Sequence, residues 1–287
     1  MSLIELLKYI FLGVIQGFTE VLPISSSGHV AIFQQILNIQ ADEGLLFLTL
    51  VNMGSLLAII FHFRKFIGRL IISFFQYVFK PETRTKNEPD FHYVWKIVIA
   101  TIPTAIVGIL FSSLVDEIYL EYALILVGFG LLVTSTFLYV VRFTPNKNVN
   151  QKLSYRDAIV IGLAQPFAIL PGLSRSGITT SSGLLRKVFM DTALSFSFML
   201  YIPLSIGSAL QFFYRWIAKI DDFNPGFEVG KLDQYIYYFC AFIASIVATK
   251  IALKYVFKWF RQGKLVYFAA YTLVLGIIAL IAGVILY

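Results

Sequence analysis

The segment from Gly13 to Gly28, Gly-Val-Ile-Gln-Gly-Phe-Thr-Glu-Val-Leu-Pro-Ile-Ser-Ser-Ser-Gly, returns 149 positions later as Gly162 to Gly177, Gly-Leu-Ala-Gln-Pro-Phe-Ala-Ile-Leu-Pro-Gly-Leu-Ser-Arg-Ser-Gly. Six identities fall in register: Gly13 with Gly162, Gln16 with Gln165, Phe18 with Phe167, Ser25 with Ser174, Ser27 with Ser176 and Gly28 with Gly177. The chain is therefore read as one domain, residues 1–287, made of two like halves at about 1–142 and 150–287. The copies differ where Glu20, Ser26 and His29 stand opposite Ile169, Arg175 and Ile178. Complementary rather than duplicated polar groups are expected where two repeat loops meet and build one site.

The repeat sits in a chain that is 58% hydrophobic and 14% charged, with a mean hydropathy of +0.79. That leaves too little polar surface to cover a soluble globule, and implies a bilayer. Six apolar stretches approach the length needed to cross hydrocarbon: 44–62, 93–114, 121–141, 190–214, 235–256 and 265–286. Three more, 3–23, 66–79 and 156–171, are amphipathic or broken by Pro and Gly, and 66–79 reads as an interfacial helix.

A formal charge of +7 could point to nucleic acid, but the basic residues cluster in loops between spans, which excludes a basic soluble face. Arg64, Lys65, Arg69, Lys80, Arg84 and Lys86 fall in 63–92; Arg142, Lys147, Lys152 and Arg156 in 142–156; Arg186 and Lys187 follow the second motif; Lys254, Lys258, Arg261 and Lys264 form another basic turn. The alternate loops carry Asp42 and Glu43, then Asp116, Glu117 and Glu121, without Lys or Arg, and 215–233 is mixed. Placing the basic loops in the cytoplasm puts both termini outside. The first motif region then begins and ends outside, the second begins and ends inside. Each reads as a re-entrant helical hairpin followed by three spans. The expected fold is all-α and polytopic: about six transmembrane helices and two re-entrant hairpins in an inverted-topology repeat.

Non-helical backbone at membrane depth is tolerated only where protein or water satisfies it. Pro23 and Gly28, then Pro166, Pro171, Gly172 and Gly177, supply the breaks, and Ser25, Ser26 and Ser27 and then Ser174, Ser176 and Thr179 follow at the starts of new helices. Fresh helix N-termini gather unpaired amides and a positive dipole end, which suit phosphate. Small residues that merely let helices approach are the alternative reading of the same run. Arg175 favours the anion site, because a guanidinium in a membrane loop usually faces a polar cavity and can grip phosphate through two hydrogen bonds. A structural ion pair with Glu20 is the alternative for both residues.

Glu20 and His29 fit on neighbouring arms of the first hairpin, with Gln16 one helical turn before Glu20 as a supporting amide. An acid beside an imidazole can manage a proton, and Glu20 can also ligate a hard cation such as Mg²⁺ or Ca²⁺. No organic cofactor is called for. His62 and His92 read as interfacial, Cys240 as packing within a span, 80–92 as a polar linker, and Gly276, Ala279, Ala282 and Gly283 as a small face for close helix contact. A basic N-terminal region with a small-residue cleavage site is missing, so no removable signal peptide is expected.

The run Gln16-Gly-Phe-Thr-Glu20-Val-Leu-Pro23-Ile-Ser-Ser-Ser-Gly-His29 resembles the first signature of the bacterial undecaprenyl-diphosphate phosphatases, the bacitracin-resistance integral membrane family. Pro171-Gly-Leu-Ser174-Arg175-Ser176-Gly177-Ile-Thr179 resembles the second, and the likeness extends to length, span count and the Phe196-Ser197-Phe198 to Pro203 region. The resemblance implies hydrolysis of undecaprenyl diphosphate to undecaprenyl phosphate at the outer face of the bacterial cytoplasmic membrane, recycling the lipid carrier of cell-wall polymers. It makes Glu20 the essential acid and Ser26 and His29 the active-site hydroxyl and imidazole. Arg175, flanked by Ser25, Ser27, Ser174, Ser176 and Thr179, grips the diphosphate. Three positions depart: Gln16 replaces an acid, Asn52-Met53-Gly54-Ser55 stands where His-Gly-Thr is common, and Ser195 stands where Arg is usual. The rival class is transport, since broken helices in an inverted repeat could carry a polyprenyl phosphate lipid without hydrolysing it.

Overall fold

The structure, a computed structural model, describes residues 2–39, 45–143, 152–218 and 232–286. Asp42, Glu43, Lys147 and the segment 219–231 lie outside the described residues, as do the side chains of Asp116 and Glu117. Among the described residues the regular structure is entirely helical: α1 (Leu3–Glu20), α2 (Ser26–Ile36), α3 (Leu45–Phe79), α4 (Arg84–Val141), α5 (Tyr155–Ala164), α6 (Arg175–Leu185), α7 (Met190–Ile217), α8 (Leu232–Arg261) and α9 (Leu265–Leu286). Six segments are long and apolar enough to cross a membrane: Leu46–Phe79, Pro81–Phe111, Glu121–Val141, Met190–Ile217, Leu232–Arg261 and Leu265–Leu286. The protein is an all-α polytopic membrane protein.

Two expectations need correction. The interfacial helix read at 66–79 is continuous with the preceding span in α3, and most of the linker read at 80–92 is the first turns of α4. At 35 residues α3 is about 52 Å long, well beyond the roughly 30 Å of hydrocarbon, so its basic end projects. What keeps the projecting ends helical is contact between them. Ser73 donates to Asp90 at 3.0 Å, Arg69 pairs with Asp90 at 3.2 Å, Asn87 donates to Gln76 at 3.1 Å, and the Tyr77 and Phe91 rings stack 4.1 Å apart. The two spans expected at 93–114 and 121–141 are present as Pro81–Phe111 and Glu121–Val141, two helices within α4 that meet at a kink at Tyr122, where φ −129° and ψ 37° leave the helical range.

Short helices meet long ones through glycine. A Cβ on Gly13 would lie 2.2 Å from the Ala241 carbonyl oxygen, and one on Gly17 would lie 2.3 Å from that of Ser245, so α1 runs backbone to backbone along α8. The repeat partner Gly162 does the same for α5, where a Cβ would fall 2.6 Å from Ala100 Cα on α4. The first identity of the repeat thus seats each motif helix against a span. On α9, Gly276 and Gly283 face Gly128 and Ile125 of α4, the close contact expected of that small face.

α5 is started by a reciprocal cap in which Ser154 accepts from the Asp157 amide and Asp157 accepts from the Ser154 amide. Burial alone would raise the Asp157 carboxyl, but the hydrogen bonds from Ser154 and Arg186 outweigh it and hold the group below the ordinary carboxylate range.

Gly17→Ala is expected to push α1 from α8 and destabilise by about 1–3 kcal/mol. Gly68→Ala, where a Cβ would meet nothing within 4 Å, is expected to leave stability unchanged or slightly raised. Thermal unfolding in detergent checks both.

Candidate active site

Two loops meet inside the helical bundle. In the first, α1 ends at Glu20, the chain turns through Pro23, and Ser25 caps α2 by accepting from the Gly28 amide at 3.2 Å. In the second, a short 3-10 turn over Gln165–Ile169 leads to Gly172, whose φ of +85° suits glycine alone, and Ser174 caps α6 by accepting from the Gly177 amide at 3.1 Å. Ser25 lies 3.3 Å from Ser27, and Ser174 lies 3.3 Å from Ser176. The shared residues of the repeat therefore build the same cap twice. Across the junction, Ser176 donates to the Leu22 carbonyl at 2.9 Å, and a Cβ on Gly28 would sit 3.2 Å from Gly172 Cα.

The residues that differ between copies converge at this junction. Arg175, first residue of α6, donates through Nη2 to Glu20 Oε1 at 2.6 Å, joining positions 155 apart. The other carboxylate oxygen, Oε2, accepts from Ser26 at 2.5 Å and from Gln16 Nε2 at 2.9 Å. Side-chain exposure is 15% for Arg175 and 9% for Glu20. The guanidinium lies over the Tyr201 ring at 4.1 Å, and the Tyr201 hydroxyl donates to the side-chain and backbone oxygens of Asn52. Nη1 reaches the Ser197 carbonyl at 3.4 Å. Arginine carries five N–H donors in a planar fork, so Glu20 and Ser197 leave donors for an anion in the cavity that Arg175 lines.

That cavity measures about 850 Å³. Its deep end is polar, with Glu20, Ser26 and Arg175 alongside Ser25, Ser27, Ser174 and Ser176. Between α4 and α7 the wall mixes apolar side chains, Ala105, Ile109, Pro203, Leu204 and Leu210, with polar ones such as Ser208, Gln211 and Arg215. No Cβ contact within 4 Å would meet a side chain at Gly108 or Gly207, which line the same passage.

Three expected site residues, Gln16, Thr179 and His29, do not line the cavity, and Gln16 reaches it only through Glu20. Thr179 is fully buried and bonds the Arg175 carbonyl at 2.8 Å and Ser197 at 2.6 Å. His29 is 3% exposed; its Nδ1 is 2.7 Å from the Ser25 carbonyl and its Nε2 is 2.7 Å from the Tyr271 hydroxyl. Among the described residues no group of three His, Cys, Asp or Glu side chains gathers.

The sequence assigns no site role to Tyr201, Ser197 or Tyr271, although the first two fall in the Phe196 to Pro203 region of the resemblance. Each lies in an apolar span, and with 16 tyrosines in the chain a single one carries no signal. Asn52 stood out only as a departure from the resembled family, and its contact with Tyr201 shows what it touches.

Fold and site together define a polytopic membrane protein with an anion-suited cavity where two helix-breaking loops meet. Residues 9–278 match the family described as Bacitracin resistance protein BacA, and the chain belongs to that family. It is 40% identical over 276 residues to an undecaprenyl-diphosphatase of Oceanobacillus iheyensis, covering 96% of each chain. It is 37% identical over 284 residues to undecaprenyl-diphosphatase 1 of Bacillus licheniformis, covering 98% of this chain and 99% of that one. With an undecaprenyl-diphosphatase of Acholeplasma laidlawii it shares 34% over 285 residues, 97% of each.

Removing one member of a buried ion pair strands the other charge. Glu20→Gln and Arg175→Met are each expected to destabilise more than the double variant implies, with a coupling of about 1–3 kcal/mol in a cycle measured by unfolding in detergent.

Proposed function

We infer that this protein hydrolyses undecaprenyl diphosphate to undecaprenyl phosphate and inorganic phosphate, recycling the lipid carrier of cell-wall synthesis. It is a multi-pass protein of the bacterial cytoplasmic membrane. The observation that carries the site assignment is the meeting of Glu20, Ser26 and Arg175, drawn from both loops, at the polar end of one cavity. An anionic headgroup fits that end, and an isoprenoid tail fits the apolar side chains of the passage between α4 and α7.

In our reading the loops are the tips of two re-entrant hairpins, α1–α2 and α5–α6, related by an axis in the membrane plane, with both termini outside. The alternation of basic loops supports this orientation. So does the cavity wall: the α4 residues from Thr101 to Ile109 and the α7 residues from Tyr201 to Arg215 lie in the halves of their helices remote from the basic loops. The site then opens to the cell exterior.

Phosphoryl transfer needs positioning and charge stabilisation more than covalent help from protein. Arg175 and the amides of the α2 and α6 first turns are the donors for the terminal phosphate. Glu20 is placed to take the Ser26 proton as Oγ attacks the terminal phosphorus. The bond from phosphorus to the bridging oxygen breaks, undecaprenyl phosphate leaves with that oxygen, and water then cleaves phosphoserine to inorganic phosphate. Direct attack by water, with Glu20 and His29 managing its proton, is the second route. The Glu20–Ser26 contact favours the first, because Ser26 faces the cavity and the imidazole does not. Glu20 is the carboxylate at the cavity and would be the residue to hold a hard divalent cation whose other ligands came from substrate phosphates. Such an ion would neutralise phosphate charge.

Purified protein is expected to release phosphate from undecaprenyl diphosphate; movement of lipid between leaflets with no phosphate released would instead establish the transport reading. Ser26→Ala is expected to lower kcat by about 10³-fold or more, and acid quenching of the parent enzyme should trap phosphate on Ser26. Undiminished release by Ser26→Ala would favour direct water attack. Gly207→Leu, filling open space on a helix, is expected to raise KM for the long-chain substrate by about tenfold with kcat little changed, and to affect a short-chain diphosphate far less.

A further inference from the structure

The two caps are alike in hydrogen bonding but not in backbone. Ser25 has φ 68° and ψ 101°, whereas its repeat partner Ser174 has φ −82° and ψ 108°. A positive φ at a residue with a Cβ costs about 1–3 kcal/mol and persists only where the surroundings enforce it. The strain is confined to the copy that carries Glu20 and Ser26.

One surrounding group is also confined to that copy. His29 stands opposite Ile178, so only the first loop has a ring that can reach its cap carbonyl, and Nδ1 lies 2.7 Å from Ser25 O. A carbonyl only accepts, so Nδ1 bears the proton. The Nε2 of the neutral ring is then an acceptor, and the Tyr271 hydroxyl, 2.7 Å away, donates to it. The Tyr271 ring stacks on the imidazole at 5.5 Å with 19° between planes, which fixes its orientation as well. Tyr271 belongs to α9, in the other half of the chain. It therefore seats the ring, the ring Nδ1–H holds the Ser25 carbonyl, and the residue after Ser25 is Ser26, whose hydroxyl meets Glu20 at 2.5 Å.

We propose that His29 and Tyr271 are positioning residues for hydrolysis: a tyrosine-seated imidazole clamps the strained Ser25 backbone so that Ser26 is presented to Glu20 and the substrate phosphorus. The proposal rests on the hydrolase reading for its consequence, but its geometry can be read independently of turnover. Because the chain has three histidines, ¹⁵N-labelled imidazoles can be assigned with His62→Gln and His92→Gln, and His29 is expected as the neutral Nδ1–H tautomer. An Nε2–H ring would overturn the proposal whether or not the protein releases phosphate.

Turnover supplies the second test. His29→Ala and Tyr271→Phe are expected to lower kcat on undecaprenyl diphosphate by about 10–100-fold with KM little changed. His29→Asn sets an amide donor near the place of Nδ1 without a titrating ring, and is expected to recover kcat to within about tenfold of the parent, with the acid limb of the pH profile kept. A His29→Asn protein as inactive as His29→Ala, or one without that limb, would assign the ring a proton-transfer role and overturn the clamp. Parental kcat in Tyr271→Phe would overturn it too. Failure of the parent to release phosphate would sink the hydrolase reading alone.

Discussion

Backbone that leaves a helix where protein buries it must find its hydrogen bonds within the protein, and each polar group left bare there costs several kcal/mol. The whole site depends on meeting that constraint. The chain meets it with serine: Ser25 and Ser174 each accept an amide of the helix they begin, and Ser176 and Thr134 tie the loops to carbonyls across the junction. With the amide and carbonyl demands met locally, the loops can end in positions where the next side chain, Ser26 or Arg175, faces the cavity. Capping and chemistry occupy adjacent residues.

The Glu20–Arg175 pair is the other half of the design. Withdrawing two charges from water is expensive, and a pair replaced by apolar residues of equal volume is often no less stable. Stability is thus a poor reason for its presence. Both residues line the cavity, the carboxylate is flanked by two further donors, and the guanidinium rests on Tyr201. These supports hold each charge in place even when its partner turns to a phosphate. In that arrangement Glu20 keeps Arg175 extended towards the place where an anion would sit.

Much of this was legible in sequence because it is written in residue types with few uses in a bilayer. An acid just ahead of Pro23 and an arginine just after Pro171, both inside apolar stretches, announced the site, and basic loops in alternation announced the spans. What stayed hidden was partnership. His29 reads as an active-site group from its nearness to Glu20 and from the resemblance, and neither could show that its ring crosses to Tyr271. Ser197 is one of several serines in α7, and Tyr201 one of many aromatic residues in the spans, so nothing in one dimension marks either as facing Arg175. The helical hairpin of α3 and α4 was missed for a similar reason: residues 80–92 are polar enough for a loop, and only the pairing of Asp90 with Ser73 and Arg69 makes helix the better state.

The repeat also explains how such a site can be asymmetric. Positions identical in both copies, Gly13 and Gly162 against their spans and Ser25 and Ser174 at their caps, serve packing and backbone satisfaction, which both halves need equally. Positions free of that duty diverged: one loop took the carboxylate and hydroxyl, the other the guanidinium. Had both copies kept an acid, two like charges would face each other at the junction and one would have to be neutralised. Had both kept arginine, Glu20 would have no counterpart to balance two cations in a poorly solvated place. Division of the charged residues between the two loops leaves their junction without net charge.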